Sequence, residues 1–147
     1  MKNKVQKALS IKQPWASLIA EGIKDIENRT WKTNFRGRIF IHASTPRKFD
    51  IALTDDQTRL ALPILEKAFS RNLPFGAIIG EVDIVDCVIN HPSIWAEKSE
   101  GVFVGHTFYH KEGIKPIWNW VLANPVMYDE PILNVKGKLS FWDYENR

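Results

Sequence analysis

Between Leu9 and Ser44 the chain brings Lys12, Gln13, Trp15, Lys24, Glu27, Asn28, Arg29, Trp31, Arg36, Arg38 and His42 into a few short elements joined by tight turns. Lysine and arginine supply donors for phosphate oxygens. Glutamine and asparagine can read base edges, and an indole offers a stacking face. A carboxylate buried among them, such as Glu27, needs a cationic partner, and Lys24 or Arg29 is the nearest in sequence. Each residue also has a plainer reading. Trp15 can be core, Glu27 with Arg29 a structural ion pair, and His42 a hydrogen-bonded wall residue.

Further along, Glu81 and Asp83 stand two apart in an apolar run, so on a strand they share a face. Paired carboxylates suit acid–base work or a cation, but polar lining at a barrel mouth is the reading we favour. His106 and His110 have i, i+4 spacing, which serves a metal only on a helix, and their segment reads as strand. No metal site and no cofactor is expected. Neither a Gly-rich phosphate loop nor a Ser–His–Asp pattern occurs.

The charge distribution points the same way as the side chains. Residues 1–50 hold eleven Lys or Arg against four acids, whereas residues 51–147 hold nine against thirteen. A basic half inside one chain suits a surface for polyanions, and equally a face of lysines and arginines that only solvates the fold. At 147 residues, 44% hydrophobic and 25% charged, the chain reads as one domain over 1–147 with an ordinary core. No apolar run approaches the length that spans a bilayer, and Met1 to Lys7 lacks the apolar stretch of a signal peptide. Cys87 is the only cysteine and sits in an apolar run, as a buried thiol would. A cytoplasmic location and no membrane partner are expected.

These side chains need elements to position them. Lys7–Ile11 reads as a strand. Pro14 opens a helix with Trp15, Leu18, Ile19 and Gly22 along one stripe. Residues 24–31 read as extended, with Asp25, Glu27, Arg29 and Trp31 on one face and Ile26 on the other. Residues 34–37 form a turn. Arg38–Ala43 alternates, with Ile39, Ile41 and Ala43 opposed to Arg38, Phe40 and His42. Phe49–Asn72 is the main helical region, its apolar face Leu60, Ile64, Leu65, Ala68 and Phe69, and Pro63 is expected to break or kink it. Ala77–Ile89 is a strand long enough to bend. A short helical turn begins at Ser93. Val102–Tyr109, Ile117–Leu122 and Leu139–Tyr144 read as strands, with Trp118 and Trp120 on one face as core filling.

The run Leu9–Lys24 (LSIKQPWASLIAEGIK), then Ile26–Trp31 (IENRTW), Arg36-Gly37 and Ile41–Ser44 (IHAS) resembles the ASCH domain family of the PUA-like superfamily. The resemblance continues through Ile79–Cys87, Trp118–Pro125, Pro131 and Gly137–Trp142, so it covers nearly the whole chain. It implies an α+β, PUA-like fold: a small, curved, mostly antiparallel β-barrel with flanking helices. It also implies a cleft beside a G-x-K-x-x-E-x-R segment, here Gly22, Lys24, Glu27 and Arg29. Members of the family are linked to RNA or DNA binding. Some small bacterial members are amidohydrolases that deacetylate N4-acetylcytidine, and another is a ribonuclease.

The lysine of those amidohydrolases falls on Lys24 and their later carboxylate near Glu81. Their threonine nucleophile falls where this chain has Glu27, and Thr30 is out of register. The resemblance therefore implies a nucleic-acid-binding domain, RNA first and single- or double-stranded DNA second. Lys12, Arg29, Arg36 and Arg38 would contact phosphates or bases. Gln13, Trp15, Lys24 and Glu27 would edge the pocket, with His42 at the end of its strand. The alternative is a hydrolase on a modified nucleoside, with Glu27 activating water, Lys24 or Arg29 holding an oxyanion, and Glu81 as the third working group. A ribonuclease with the same groups and His42, and a protein-interaction domain with a degenerate pocket, are further alternatives. The sequence leaves the oligomeric state open.

Overall fold

The computed structural model describes residues 4–46 and 51–146. Arg47 and Lys48 of the basic half, and Phe49 at the expected start of the main helix, lie outside the described residues. Strand β1 (Lys4–Ile11) leads into helix α1 (Trp15–Ala20), then strands β2 (Ile26–Arg29) and β3 (Gly37–Ala43). Helix α2 (Asp55–Phe69) follows, then β4 (Ala77–Val88), β5 (Gly101–Val104), β6 (Thr107–His110), β7 (Trp118–Ile132) and β8 (Phe141–Asn146).

Six strands form one sheet in the order β2-β7-β4-β3-β1-β8, while β5 and β6 form a separate hairpin. All neighbours in the six-stranded sheet are antiparallel except β1 and β3. That parallel pair is buried on both faces, as parallel strands generally are. Leu9, Ile11, Ile39, Ile41 and Ala43 face α1, and Ala8 and Phe40 face the second cluster with Ile78 and Trp142. The sequence reading gives β3 one apolar face, but its other face is closed as well, because Phe40 and His42 are both fully buried.

The sheet curls. β4 shifts register against β7 at three points, between Ile78 and Gly80, Glu81 and Asp83, and Ile84 and Asp86. Each irregularity adds bend and twist, as the length of this run predicts. Aromatic side chains then tie the two ends of the sheet together. Trp31, two residues beyond β2, meets Phe141 of the opposite edge strand with ring centroids 5.8 Å apart, and Trp120 stacks on Phe141 at 5.4 Å. The result is a curled half-barrel with two helices, the α+β, PUA-like architecture that the family resemblance implies.

Several sequence expectations need correction. α2 begins at Asp55, where Thr54 and Gln57 form a capping box. It runs through Pro63 without ending. Pro63 lies on the exposed side, where the carbonyl it leaves unpaired meets water. The buried stripe is Ala61, Ile64, Leu65 and Ala68, whereas Leu60 and Phe69 are exposed. At 100° per residue those two stand about 90° to either side of the stripe.

The expected strand 102–109 is a hairpin that turns at Gly105, whose φ is +63°. His106 sits in that turn, and no group of metal-ligating side chains occurs among the described residues. The short turn expected at Ser93 is present as a single turn, closed by the Ala96 N–H donating to the Ser93 carbonyl. The strand expected over 117–122 continues to Ile132 through Pro125 and Pro131, prolines that masked it in the sequence. Leu139 is exposed and β8 starts at Phe141. Among the described residues no helix is long and apolar enough to cross a membrane.

Candidate functional site

Four elements enclose a cavity of about 490 Å³ lined by Trp15, Lys24, Glu27, Asn28, Ala52, Gln57, Trp95 and Glu97. Trp15 enters from the first turn of α1, which is held by Gln13. The Gln13 amide donates to the Ser17 hydroxyl and the Pro74 carbonyl, and its oxygen accepts from the Ser17 N–H. Gln13 is 3% exposed and acts as a cap for the helix rather than lining the cavity.

Lys24 and Glu27 come from the turn after α1 and the start of β2. Burying either charge alone is costly, so both are paired. Lys24 Nζ donates to the Ile26 carbonyl and lies 3.7 Å from Glu27 Oε1. The other carboxylate oxygen accepts from Arg29 Nε at 3.0 Å and Nη2 at 2.8 Å. Nη2 also donates to the Ser10 carbonyl, which ties β2 to β1 across the curl. Lys24 lies 5.5 Å over the Trp15 ring. Burial pushes the Lys24 amine below its ordinary value, against the pull of Glu27 and, more weakly, Glu97.

The remaining wall is a loop pinned by asparagines. Asn28 Nδ2 donates to the Trp95 carbonyl, and its Oδ1 accepts from the Glu97 N–H and from Asn119 Nδ2. Asn119 in turn donates to the Glu97 carbonyl and accepts from the His91 N–H. On the helix side, Gln57 Nε2 donates to the Ile94 carbonyl. Trp95 and Glu97 are thereby set opposite Lys24. Sequence reasoning missed both. A tryptophan and a glutamate two residues apart in a loop between strands carry no periodic signal, and they are placed by Asn28 and the buried Asn119.

The profile of the ASCH domain family matches residues 9–132. The chain belongs to the ASCH domain family. It is also similar to activating signal cointegrator 1, 38% identical over 81 residues to the human protein and 40% identical over 81 residues to the mouse protein. Those matches cover 54% of this chain and 14% of each relative, so the ASCH chain corresponds to a small part of their length.

Within this ASCH domain the structure brings Trp15, Lys24, Glu27 and Arg29 together and sets the other named residues apart. Glu81 lies on the face of β4 opposite Val82, where it accepts from Gln6 Nε2, from the Tyr128 hydroxyl at 2.7 Å and pairs with Arg38 at 3.3 Å. Burial and this hydrogen bond push the Tyr128 phenol well above its ordinary value. Arg38 also binds Asp83 at 3.0 Å and the Asn124 carbonyl. The Asn124 amide, with Arg38, holds the Asp83 carboxyl below the usual range. Glu81 and Asp83 thus belong to a β3–β4–β7 network and do not reach the cavity.

Arg36 donates to the Thr33 and Phe35 carbonyls and approaches Asp86 at 3.6 Å. Lys12 is exposed at the end of β1. His42 is fully buried elsewhere, between the Ser10 hydroxyl and the Val135 carbonyl. Thr30 is exposed and does not line the cavity.

Proposed function

We propose that this ASCH domain binds single-stranded nucleic acid, RNA first, and admits one unstacked base into the cleft between Trp15 and Trp95. The cleft itself carries this reading: about 490 Å³ bounded by two indoles, with a buried lysine–carboxylate pair in the wall. Indoles offer faces to any base. The Lys24 ammonium and the Glu27 and Glu97 carboxylates offer a donor and acceptors to its edge. The basic character of residues 1–50 supports attraction of the backbone. Arg29 and Arg38 serve by holding Glu27 and Glu81, and Arg36 is turned to the Thr33 and Phe35 carbonyls and Asp86, which leaves Lys12 as the phosphate contact among the residues named from sequence.

Anisotropy of a labelled oligouridylate at low salt tests this reading. Binding should weaken with salt, Lys12→Ala should reduce the salt slope by about 1, and Trp15→Leu should weaken binding. No binding at low salt, or binding indifferent to Trp15→Leu in a folded variant, overturns it.

One observation favours a second reading. An amine lowered by burial, 3.7 Å from a carboxylate, suits hydrolysis of an acylated nucleoside such as N4-acetylcytidine. Glu27 would take a proton from water, the hydroxide would add to the acyl carbon, Lys24 would stabilise the oxyanion, and Glu27 would return the proton to N4 as the C–N bond breaks, releasing cytidine and acetate. Chromatography after incubation decides it. Absence of cytidine and acetate, or a yield unchanged in Glu27→Gln, excludes the reaction. RNA left intact after an overnight digest likewise excludes a ribonuclease.

A further inference from the structure

A second cavity, about 360 Å³, opens on the face of β1 and β3 turned away from α1. Ser10, His42, Ser44, Thr45, Pro46, Lys136, Gly137, Lys138 and Leu139 line it, and it shares no residue with the cleft. We propose that this cavity binds the phosphate group of a nucleotide or of a nucleic-acid backbone, at a site separate from the base-binding cleft and independent of that reading.

The lining contains two lysines, three hydroxyls and no carboxylate. Among the described residues neither Lys136 nor Lys138 pairs with a carboxylate, and the hydroxyls of Ser44 and Thr45 have no hydrogen-bond partner. Two cations and two hydroxyl donors are the groups a phosphate takes.

The polar groups on the floor of the cavity are hydrogen-bonded to one another and to the backbone. Ser10 and His42 are register partners on β1 and β3. His42 Nε2 faces the Val135 carbonyl at 2.7 Å and so carries the proton, which leaves Nδ1 to accept from the Ser10 hydroxyl at 2.9 Å. The floor therefore has no hydrogen to give, and the donors stand on the rim. Gly137 lets the rim approach. A Cβ there would lie 2.6 Å from Ser10 Oγ and 2.8 Å from His42 Cε1. Only glycine allows the 136–138 segment to lie on the Ser10–His42 floor with a lysine on each side.

Amide chemical shifts of the intact chain, titrated with inorganic phosphate, uridine, uridine 5′-monophosphate and the dinucleotide UpU, test the site. Phosphate and the monophosphate should move the amides of Ser44, Thr45, Gly137 and Lys138 in a saturable way, and uridine should not. The exposed double variant Lys136→Ala/Lys138→Ala should keep its fold and bind about tenfold or more weakly, the loss expected for charged hydrogen bonds. Gly137→Ala should weaken binding by displacing the rim. Binding of UpU as tight as that of the monophosphate assigns the site to a nucleic-acid backbone, and preference for the monophosphate assigns it to a free nucleotide or a terminal phosphate. Shifts that do not saturate below about 10 mM, or that persist unchanged in the double lysine variant, overturn the proposal. Phosphate shifts that remain in Trp15→Leu, whatever that variant does to oligouridylate binding, keep the two sites distinguishable, because the cavity shares no residue with the cleft.

Discussion

Lys24 Nζ stands 3.7 Å from Glu27 Oε1, and the two side chains are only 5% and 9% exposed. Arg29 takes the other oxygen of the same carboxylate at 2.8 Å. One buried anion is thus shared by two cations, in the wall of a cleft that a ligand can enter.

Glu27→Gln keeps the shape and removes the charge, leaving Lys24 buried without its counter-ion. Breaking a buried pair from one side costs about 3–5 kcal/mol. We expect a loss of that order in urea denaturation, with the same slope against urea concentration as the parent. A loss below about 1 kcal/mol would show that the pair is solvated in the free protein.

Lys24 makes stability depend on alkaline pH. Its amine titrates below the ordinary lysine value of 10.5 in the folded chain because it is buried. Between the lowered value and 10.5 the unfolded chain holds more protons than the folded one, so stability rises with pH, by up to about 1.4 kcal/mol per pH unit. Below the lowered value the dependence vanishes. Denaturation of the parent and of Lys24→Met across pH 8–10 checks this, since the methionine variant should lack the rise.

Arg38→Met separates a structural role from a phosphate contact. Arg38 bridges Glu81, Asp83 and the Asn124 carbonyl. Its loss removes an ion pair from each of two carboxylates, and we expect about 2–3 kcal/mol of destabilisation. The salt dependence of RNA binding should not change. A slope shallower by about 1 would place Arg38 on a phosphate instead.

At Gly80 the backbone of β4 lies directly against that of β7. A Cβ at this position would lie 2.1 Å from the Val126 carbonyl oxygen, far inside contact distance and against backbone that cannot swing aside. Gly80→Ala should therefore cost upward of about 3 kcal/mol and lower the melting temperature. A neutral outcome would mean that the β4–β7 bulges can slide.

Much of this molecule is legible in its sequence, and the reason is local. The alternation of Arg38–Ala43 and the stripe Trp15, Leu18, Ile19 follow from periods set by backbone geometry. The G-x-K-x-x-E-x-R spacing puts Lys24, Glu27 and Arg29 within reach because they lie in one turn and one strand. The length of the 77–89 run implies a bend, and the strand indeed bends.

What the sequence could not determine is set by non-local contacts. Glu81 belongs to the Arg38–Tyr128 network and not to the cleft, because β4 alternation turns it to the face opposite Val82. Trp95 and Glu97 reach Lys24 only because Asn28 and Asn119, 91 residues apart, hold their loop. The second face of β3 is buried because Trp142 and Tyr144 of β8, Tyr128 and Ile132 of β7, and Val135 return to cover it. Periodicity reports which side of its own element a residue occupies, and only the packing of distant elements decides what that side meets.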